Sequence, residues 1–337
     1  MRHFICLAII ISLITVIMVH IAHQSKYKSF GSEDTIHIFF IVDDNYVKYL
    51  SVAMASILKN TENPVYFHIL DDNIAKKTKI KLLKLQNYKD FAIEFLPVHN
   101  IRPLNLPPSI MPHINKTTNY RLLLSSLTPE IKKCILSDAD LVYVSDIKEL
   151  WNIDVEDFYM AAVPDPADKN RTNNWIEKLP VNEKKHYVNT GVTVLNLEKW
   201  RQDNIESKFF TYATLYHQYL NYPDQDLLNI VLHSKVKYLN PKFNAMPEQI
   251  YYDLPEQISA FYNPVVIHWA GPSKPWENPD AHQPQYFWNY VNLSPFAAQI
   301  YADYYIPPIA AALKKYLECQ IKRKKSPLYN KLCSLIP

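Results

Sequence analysis

Glycine is nearly missing from this chain: Gly31, Gly191 and Gly271 are the three in 337 residues, against 24 prolines. A sequence so sparing with glycine places each one where backbone geometry or close approach demands it. The four cysteines, Cys6, Cys134, Cys319 and Cys333, show neither CxxC nor zinc spacing. That excludes a disulfide framework and fits a reducing compartment or indifference to redox state. An excess of charge is also missing from the body. The net +3 comes from a C-terminal stretch, Lys314 to Pro337, with seven Lys/Arg and one Glu, so the remainder is slightly acidic. A basic nucleic-acid-binding body is excluded, and no internal repeat is visible. With 48% hydrophobic and 20% charged residues, the chain can bury one large core or two small ones.

What is present begins with an apolar run. Phe4 to Ile21 is 18 residues without a formal charge, just long enough to span a bilayer as a helix. Its length and the lack of a small-x-small cleavage site favour an uncleaved anchor over a signal peptide. Gln24 to Asp34 reads as a polar linker. At the other end, lysines interleave with Leu, Tyr and Ile in "ALKKYLECQIKRKKSPLYNKLCSLIP". That pattern suits a helical segment lying on an anionic membrane surface.

Between these ends the pattern alternates. Ile36–Val42 and Val65–Leu70 are apolar runs of strand length, and Ala92–Val98 is a third strand. Val47–Lys59 and Ile74–Gln86 carry one-sided helical spacing. Strand, helix, strand, helix, strand argues for parallel βαβ units with helices covering a sheet. Further on, the spacing predicts a short helix over Tyr120–Leu127 and strands over Phe158–Val163, Val188–Leu197 and Val265–Trp269. It also predicts one long amphipathic helix over Leu197–Leu220 and another over Asp224–His233.

Acidic residues gather at the C-terminal ends of predicted strands: Asp43-Asp44-Asn45, Asp71-Asp72-Asn73 and Asp138-Ala139-Asp140. In open α/β sheets the ligand crevice lies outside those ends. Asp71-Asp72 reads as turn chemistry. Asp138 and Asp140 interrupt an otherwise apolar stretch, where an ionised carboxylate is costly unless paired. Residues i and i+2 of an extended segment point the same way, so the two can converge on one hard cation. His268, Gly271 and Lys274 follow the last strand in "HWAGPSKPW". An imidazole ligand suits Mn²⁺ better than Mg²⁺. Glycine lets backbone N–H groups approach a phosphate, and lysine adds a point charge. Trp151, Trp200 and Trp276 read as core packing.

The segments "IHIFFIVDDNYVKYLSVAMASIL", "NYRLLLSSL", "ILSDADLVYVSDIKELW", "VNTGVTVLNLEKWR", "YPDQDLLN" and "HWAGPSKPW" stand in the order seen in glycosyltransferase family 8, which this sequence resembles from about Ile36 to Trp276. The resemblance implies a GT-A fold: a mixed, mostly parallel sheet, Rossmann-like in its first half and flanked by helices. Residues 1–22 would then be the anchor, 23–34 the linker, 35–290 the transferase domain and 291–337 a basic, membrane-associating helical segment. It implies Mn²⁺ held by Asp138, Asp140 and His268. Asp43, Asn45 and Tyr46 would hold the nucleoside, with Ala139 against the ribose. Arg121, Asn189, Gly191, Asp224 and Gln225 would hold the donor sugar, and Gly271 and Lys274 the diphosphate. Asp165 matches an acceptor contact only loosely.

On that resemblance the expected reaction is retaining transfer of galactose or glucose from a UDP-sugar to a glycan or glycolipid acceptor, with Asn189, Asp224 and Gln225 nearest the chemistry. Gln225 stands where a retaining hydrolase would carry its carboxylate nucleophile. An amide there favours same-face attack, while Asp224 stays open as a nucleophile. Two other readings remain open: a metal-dependent nucleotide-sugar hydrolase or phosphodiesterase, and a non-catalytic anchored carbohydrate-binding protein. The flanking charges Arg2, Lys26 and Lys28 favour the cytoplasmic side for the body; a bacterial source would make that the cytoplasmic face of the inner membrane, and a eukaryotic source would place the body in the Golgi lumen.

Overall fold

The computed structural model describes residues 34–98, 116–166, 175–181, 186–247 and 260–306, with 101, 104, 106–109 and 168 between them. The expected anchor at 1–22 and the basic end of the chain from 307 lie outside the described residues. Among the described residues no helix is long and apolar enough to cross a membrane.

The first hundred residues follow the expected alternation: β1 (Ile36–Asp43), α1 (Val47–Asn60), β2 (Val65–Asp72), α2 (Lys76–Leu82, prolonged by a 3-10 turn at Leu83–Asn87) and β3 (Ala92–Pro97). A 3-10 helix, Lys116–Leu123, runs into α3 (Leu124–Leu127) and then β4 (Lys133–Ser137). There follow β5 (Leu141–Tyr143), α4 (Lys148–Trp151), β6 (Met160–Pro164), β7 (Val188–Asn196), α5 (Leu197–Gln202), α6 (Ile205–Leu215), α7 (Pro223–Leu232), β8 (Val236–Tyr238), β9 (Val266–His268) and α8 (Gln285–Val291).

Seven strands form one sheet in the order β3-β2-β1-β4-β7-β6-β8. β1 is parallel to β2 and β4, and β2 to β3, whereas β7 runs antiparallel to β4 and β6. Both faces are covered. Ile36, Ile38, Phe40 and Val42 of β1 join the core under α1, while Phe39 joins a second core with Trp200 and Phe209. Cover on both sides is why β1 reads as a continuous apolar run instead of an alternating one.

The stretch around Asp138 is not one strand. β4 ends at Ser137, paired with Val192 of β7. The chain then leaves the large sheet and enters β5, which pairs antiparallel with β9 in a separate two-stranded sheet, Leu141 opposite His268. Asp138-Ala139-Asp140 is the bridge between the two sheets. The expected long helix after β7 is likewise divided. Asn204 adopts a left-handed conformation (φ 50°) between α5 and α6, a conformation asparagine tolerates. Glu206 at the start of α6 accepts hydrogen bonds from Ser125 and Ser126 of α3. Arg201 donates to the carbonyls of Ser125, Thr128 and Ile131. These contacts turn the chain without disturbing its apolar spacing. The core also continues past residue 290: Phe296 and Ile300 are buried beside α1.

One polar chain crosses the sheet far from the acidic ends. Glu94 accepts from His68 Nδ1, so His68 Nε2 is an acceptor, and His37 Nδ1 donates to it at 2.9 Å. Burial, then the neighbouring His68, lowers the pKa of His37 from 6.5 to about 4. An unfolded chain therefore binds more protons than the folded one below pH 6.5. The His37 contribution is present above that pH and is lost as pH falls from 6.5 to 4, by about 3 kcal/mol. Denaturant midpoints measured across this range are expected to fall more steeply for the wild type than for His37→Gln; parallel curves would refute the assignment.

Candidate active site

Local backbone pairing assembles the site. Asp138 N–H donates to the Gly191 carbonyl at 2.8 Å, and Trp269 N–H donates to the Asp140 carbonyl at 3.0 Å. The bridge is thereby tied to β7 on one side and to the end of β9 on the other. Asp138, Asp140 and His268 each present a ligand atom, all within 4.8 Å of one another. His268 Nε2 lies 3.3 Å from Asp140 Oδ1 and 3.8 Å from Asp138 Oδ2.

The outer carboxylate oxygens are occupied. Arg121 donates to Asp138 Oδ1 at 2.8 Å, and Lys274 Nζ donates to Asp140 Oδ2 at 2.6 Å and to the Trp269 carbonyl. The inner oxygens, Asp138 Oδ2 and Asp140 Oδ1, are left facing His268. Burial pushes the Asp140 carboxyl up, but the Lys274 ammonium, the largest opposing influence, outweighs it and the group is held well below the ordinary carboxylate range. Burial also opposes the charge of Arg121, and Asp138 and Asp224 overcome this and raise its pKa further. Both groups are therefore permanently charged.

His268 is 2% exposed, and its Nε2 is a buried nitrogen without a hydrogen-bond partner. A polar atom in that state carries a desolvation cost unless something else meets it. Two carboxylate oxygens and one imidazole nitrogen converging on a point suit Mn²⁺, and such sets are completed by water and substrate phosphates. The residues present fit a divalent cation.

The chain matches the family description "Glycosyl transferase family 8" over residues 37–279. It belongs to glycosyltransferase family 8. A putative glycosyltransferase of Haemophilus influenzae is 33% identical over 249 residues, covering 74% of this chain and 75% of that protein. The lipopolysaccharide 1,2-glucosyltransferase of Escherichia coli is 28% identical over 284 residues, covering 78% of this chain and 80% of its own. Among solved structures, the galactosyltransferase LgtC in complex with donor and acceptor sugar analogues superposes with a TM-score of 0.65 at 25% identity. It covers 77% of this chain and 95% of LgtC. The family 8 domain thus has the GT-A-like α/β architecture, with its mixed sheet largely parallel.

In this glycosyltransferase the residues expected to hold the donor sugar meet on the other flank of the carboxylate pair. Arg121 Nε lies 3.1 Å from Asp224 Oδ2, so one buried guanidinium spans Asp138 and Asp224. Gln225 Oε1 accepts from Thr190 N–H at 3.0 Å, and Gln225 Nε2 and Asn189 Nδ2 both approach Asp165 Oδ2, at 3.4 and 3.0 Å. Asp165, 8% exposed, orients these two amides, a more definite place than its loose motif suggested. Asp43 caps the turn into α1 by accepting from Tyr46 N–H at 3.0 Å. Asn45 is exposed at that turn and Ala139 is buried in the bridge. The Tyr46 ring meets Tyr49 and Trp276 edge-on. Burial and then Asp140 push its phenol far above the ordinary range, so its hydroxyl lies within the field of the acidic pair. Gly271 is buried in the loop that carries Lys274.

Asp71 accepts from Ile74 N–H and pairs with Lys79, the turn role expected of it. The tryptophans pack as expected: Trp200 is fully buried, and Trp276 stacks on Tyr49 at 3.9 Å. Two residues escaped the sequence reading. Asp226 accepts from Tyr187 Oη and from the N–H groups of Asn221 and Tyr222, holding the turn that presents Asp224 and Gln225. An acid near a proline-led helix start was its signal. Asn244, beside His268, gave none.

Proposed function

We propose that this family 8 glycosyltransferase is a retaining, divalent-metal-dependent enzyme that moves galactose or glucose from a UDP-sugar onto a (lipo)oligosaccharide. The observation that carries the reading is the buried, unpartnered Nε2 of His268 aimed between Asp138 and Asp140. The names of relatives support the substrate class: a lipopolysaccharide 1,2-glucosyltransferase and, in Salmonella typhimurium, a lipopolysaccharide 1,3-galactosyltransferase at 24% identity. The apolar run Phe4–Ile21 supports membrane attachment near such an acceptor, and on this reading the protein sediments with membranes after lysis.

Asp138, Asp140 and His268 would hold the cation, with Mn²⁺ the better match to the imidazole. When bound, such an ion supplies Lewis-acid stabilisation of negative charge developing on a departing diphosphate. The chain's own residues add to it. Lys274 has three donor hydrogens and, among the described residues, uses two, on Asp140 and Trp269, so a third would be available to a phosphate oxygen. Asp43, Asn45 and Tyr46 stand at the end of β1 as the nucleoside side of the crevice. Arg121 fixes Asp138 and Asp224 at once. Asp224 is committed to that guanidinium, and its neighbour Gln225 is an amide; both favour attack by the acceptor on the face from which UDP leaves.

The test combines UDP-galactose or UDP-glucose, Mn²⁺ and a lipid-linked glycan, read by mass spectrometry. Addition of one hexose to the acceptor is expected. Release of free sugar at the same rate with and without acceptor would favour the hydrolase instead. Calorimetry separates the non-catalytic reading: UDP is expected to bind with Mn²⁺, and binding unchanged in both Asp138→Ala and Asp140→Ala would remove the metal assignment.

A further inference from the structure

The protonation of His268 is decided several residues away. The Gly191 N–H can only donate, and it meets Asn189 Oδ1 at 3.0 Å. The Asp165 carboxylate accepts from Asn189 Nδ2 at 3.0 Å. These two contacts fix which end of the Asn189 amide is oxygen. Asn189 Oδ1 also accepts from Asn244 Nδ2 at 2.8 Å, so Asn244 turns its own oxygen the other way, to within 2.9 Å of His268 Nδ1. An amide oxygen has no proton to give. In a neutral ring Nδ1 therefore carries the hydrogen, and Nε2 presents a bare lone pair.

Without that constraint the surroundings favour the opposite tautomer. Asp140 Oδ1 and Asp138 Oδ2 lie 3.3 and 3.8 Å from Nε2, and carboxylates attract an N–H. A proton on Nε2 would stand where a cation must be ligated. We propose that Asn244 is a positioning residue that keeps the His268 proton on Nδ1 and thereby holds Nε2 open as a ligand. Through its bond to Asn189 it also ties that ligand to the amides held by Asp165. The inference rests on the metal reading above.

Asn244 is 1% exposed, yet its side chain is not what builds the local fold. The next residue is bonded into β9 by its backbone, with Ala245 N–H on the Val266 carbonyl and His268 N–H on the Ala245 carbonyl. Asn244→Ala is therefore expected to fold, and thermal melting checks it. Asn244→Asp keeps an acceptor for Nδ1–H but has no N–H for Asn189.

Two measurements decide. In metal-free, ¹⁵N-histidine-labelled protein at pH 8, long-range ¹H–¹⁵N spectra should show His268 as the Nδ1–H tautomer in wild type and Asn244→Asp. Asn244→Ala should shift toward Nε2–H. Titration of Mn²⁺ followed by electron paramagnetic resonance should give a dissociation constant about 10- to 100-fold weaker in Asn244→Ala, and within about threefold of wild type in Asn244→Asp. An unchanged tautomer together with unchanged Mn²⁺ affinity in Asn244→Ala would overturn the proposal, as would equal losses in both variants. If wild type takes up no Mn²⁺, the metal reading fails, while the metal-free spectra still decide what Asn244 does to the ring.

Discussion

Asp140→Asn is expected to lower sugar transfer by about 10³-fold at saturating UDP-sugar and Mn²⁺, because about 4 kcal/mol of charge stabilisation at the departing diphosphate would be lost. The two oxygens of Asp140 face different groups. Oδ2 meets Lys274 at 2.6 Å, and Oδ1 faces His268 at 3.3 Å, on the side where the ion would sit. An asparagine has one oxygen and must turn its NH₂ toward one of the two. Asp138→Asn is expected to lose a similar amount of activity, since its Oδ2 faces the same point.

The two positions should part in stability. Arg121 retains Asp224 when Asp138 is neutralised. Among the described residues, Asp140 is the carboxylate that pairs with Lys274, which is 3% exposed. Leaving a buried ammonium without its partner costs roughly 3–5 kcal/mol. Asp140→Ala should therefore melt well below Asp138→Ala in calorimetry, while both are inactive in the transfer assay. An Asp140→Asn enzyme within tenfold of wild type would show that this carboxylate holds no catalytic ion.

Much of this geometry was visible in the residues, and the reasons differ from place to place. β1, α1 and β2 follow from apolar periodicity because burial on one or both faces leaves a direct imprint on spacing. The carboxylate pair was conspicuous because charge inside an apolar stretch has few inexpensive explanations. The break at Asn204 was hidden, since Glu206 and Arg201 turn the chain through contacts with α3 while the apolar rhythm continues. Nor could the bridge between sheets be read: Leu141, Val142 and Tyr143 are as apolar as the end of β4, and only pairing with β9 separates them. Asn244 and Asp165 act through hydrogen-bond direction, and a single amide or acid at the end of a short 3-10 turn or strand leaves no periodic trace.

Gly191 joins the composition to the chemistry. It is not in a left-handed conformation, so backbone freedom does not explain it. What explains it is proximity. A Cβ at this position would lie 2.2 Å from His268 Cε1, 2.8 Å from His268 Nδ1 and 2.9 Å from Asp138 Oδ2. Two of the three groups that would ligate the cation press against the space a methyl would fill. His268 cannot retreat, because its ring is 2% exposed and hydrogen-bonded to Asn244. Gly191→Ala should therefore destabilise the fold by about 1–3 kcal/mol, the usual cost of overpacking. The larger effect should fall on metal binding, since displacing His268 and Asp138 disturbs a convergent site, and losing the orientation of metal ligands costs about 10- to 100-fold in metal affinity. A folded Gly191→Ala protein, checked by circular dichroism and melting, is expected to bind Mn²⁺ about 10- to 100-fold more weakly than wild type. Gly31 lies before the first strand, outside the described residues, and provides no comparison, whereas Gly271→Ala tests a glycine that does not lie between the proposed metal ligands. It should retain Mn²⁺ affinity in the absence of UDP. Equal losses at positions 191 and 271 would mean that the scarcity of glycine reflects general packing and not the close approach of His268 to β7.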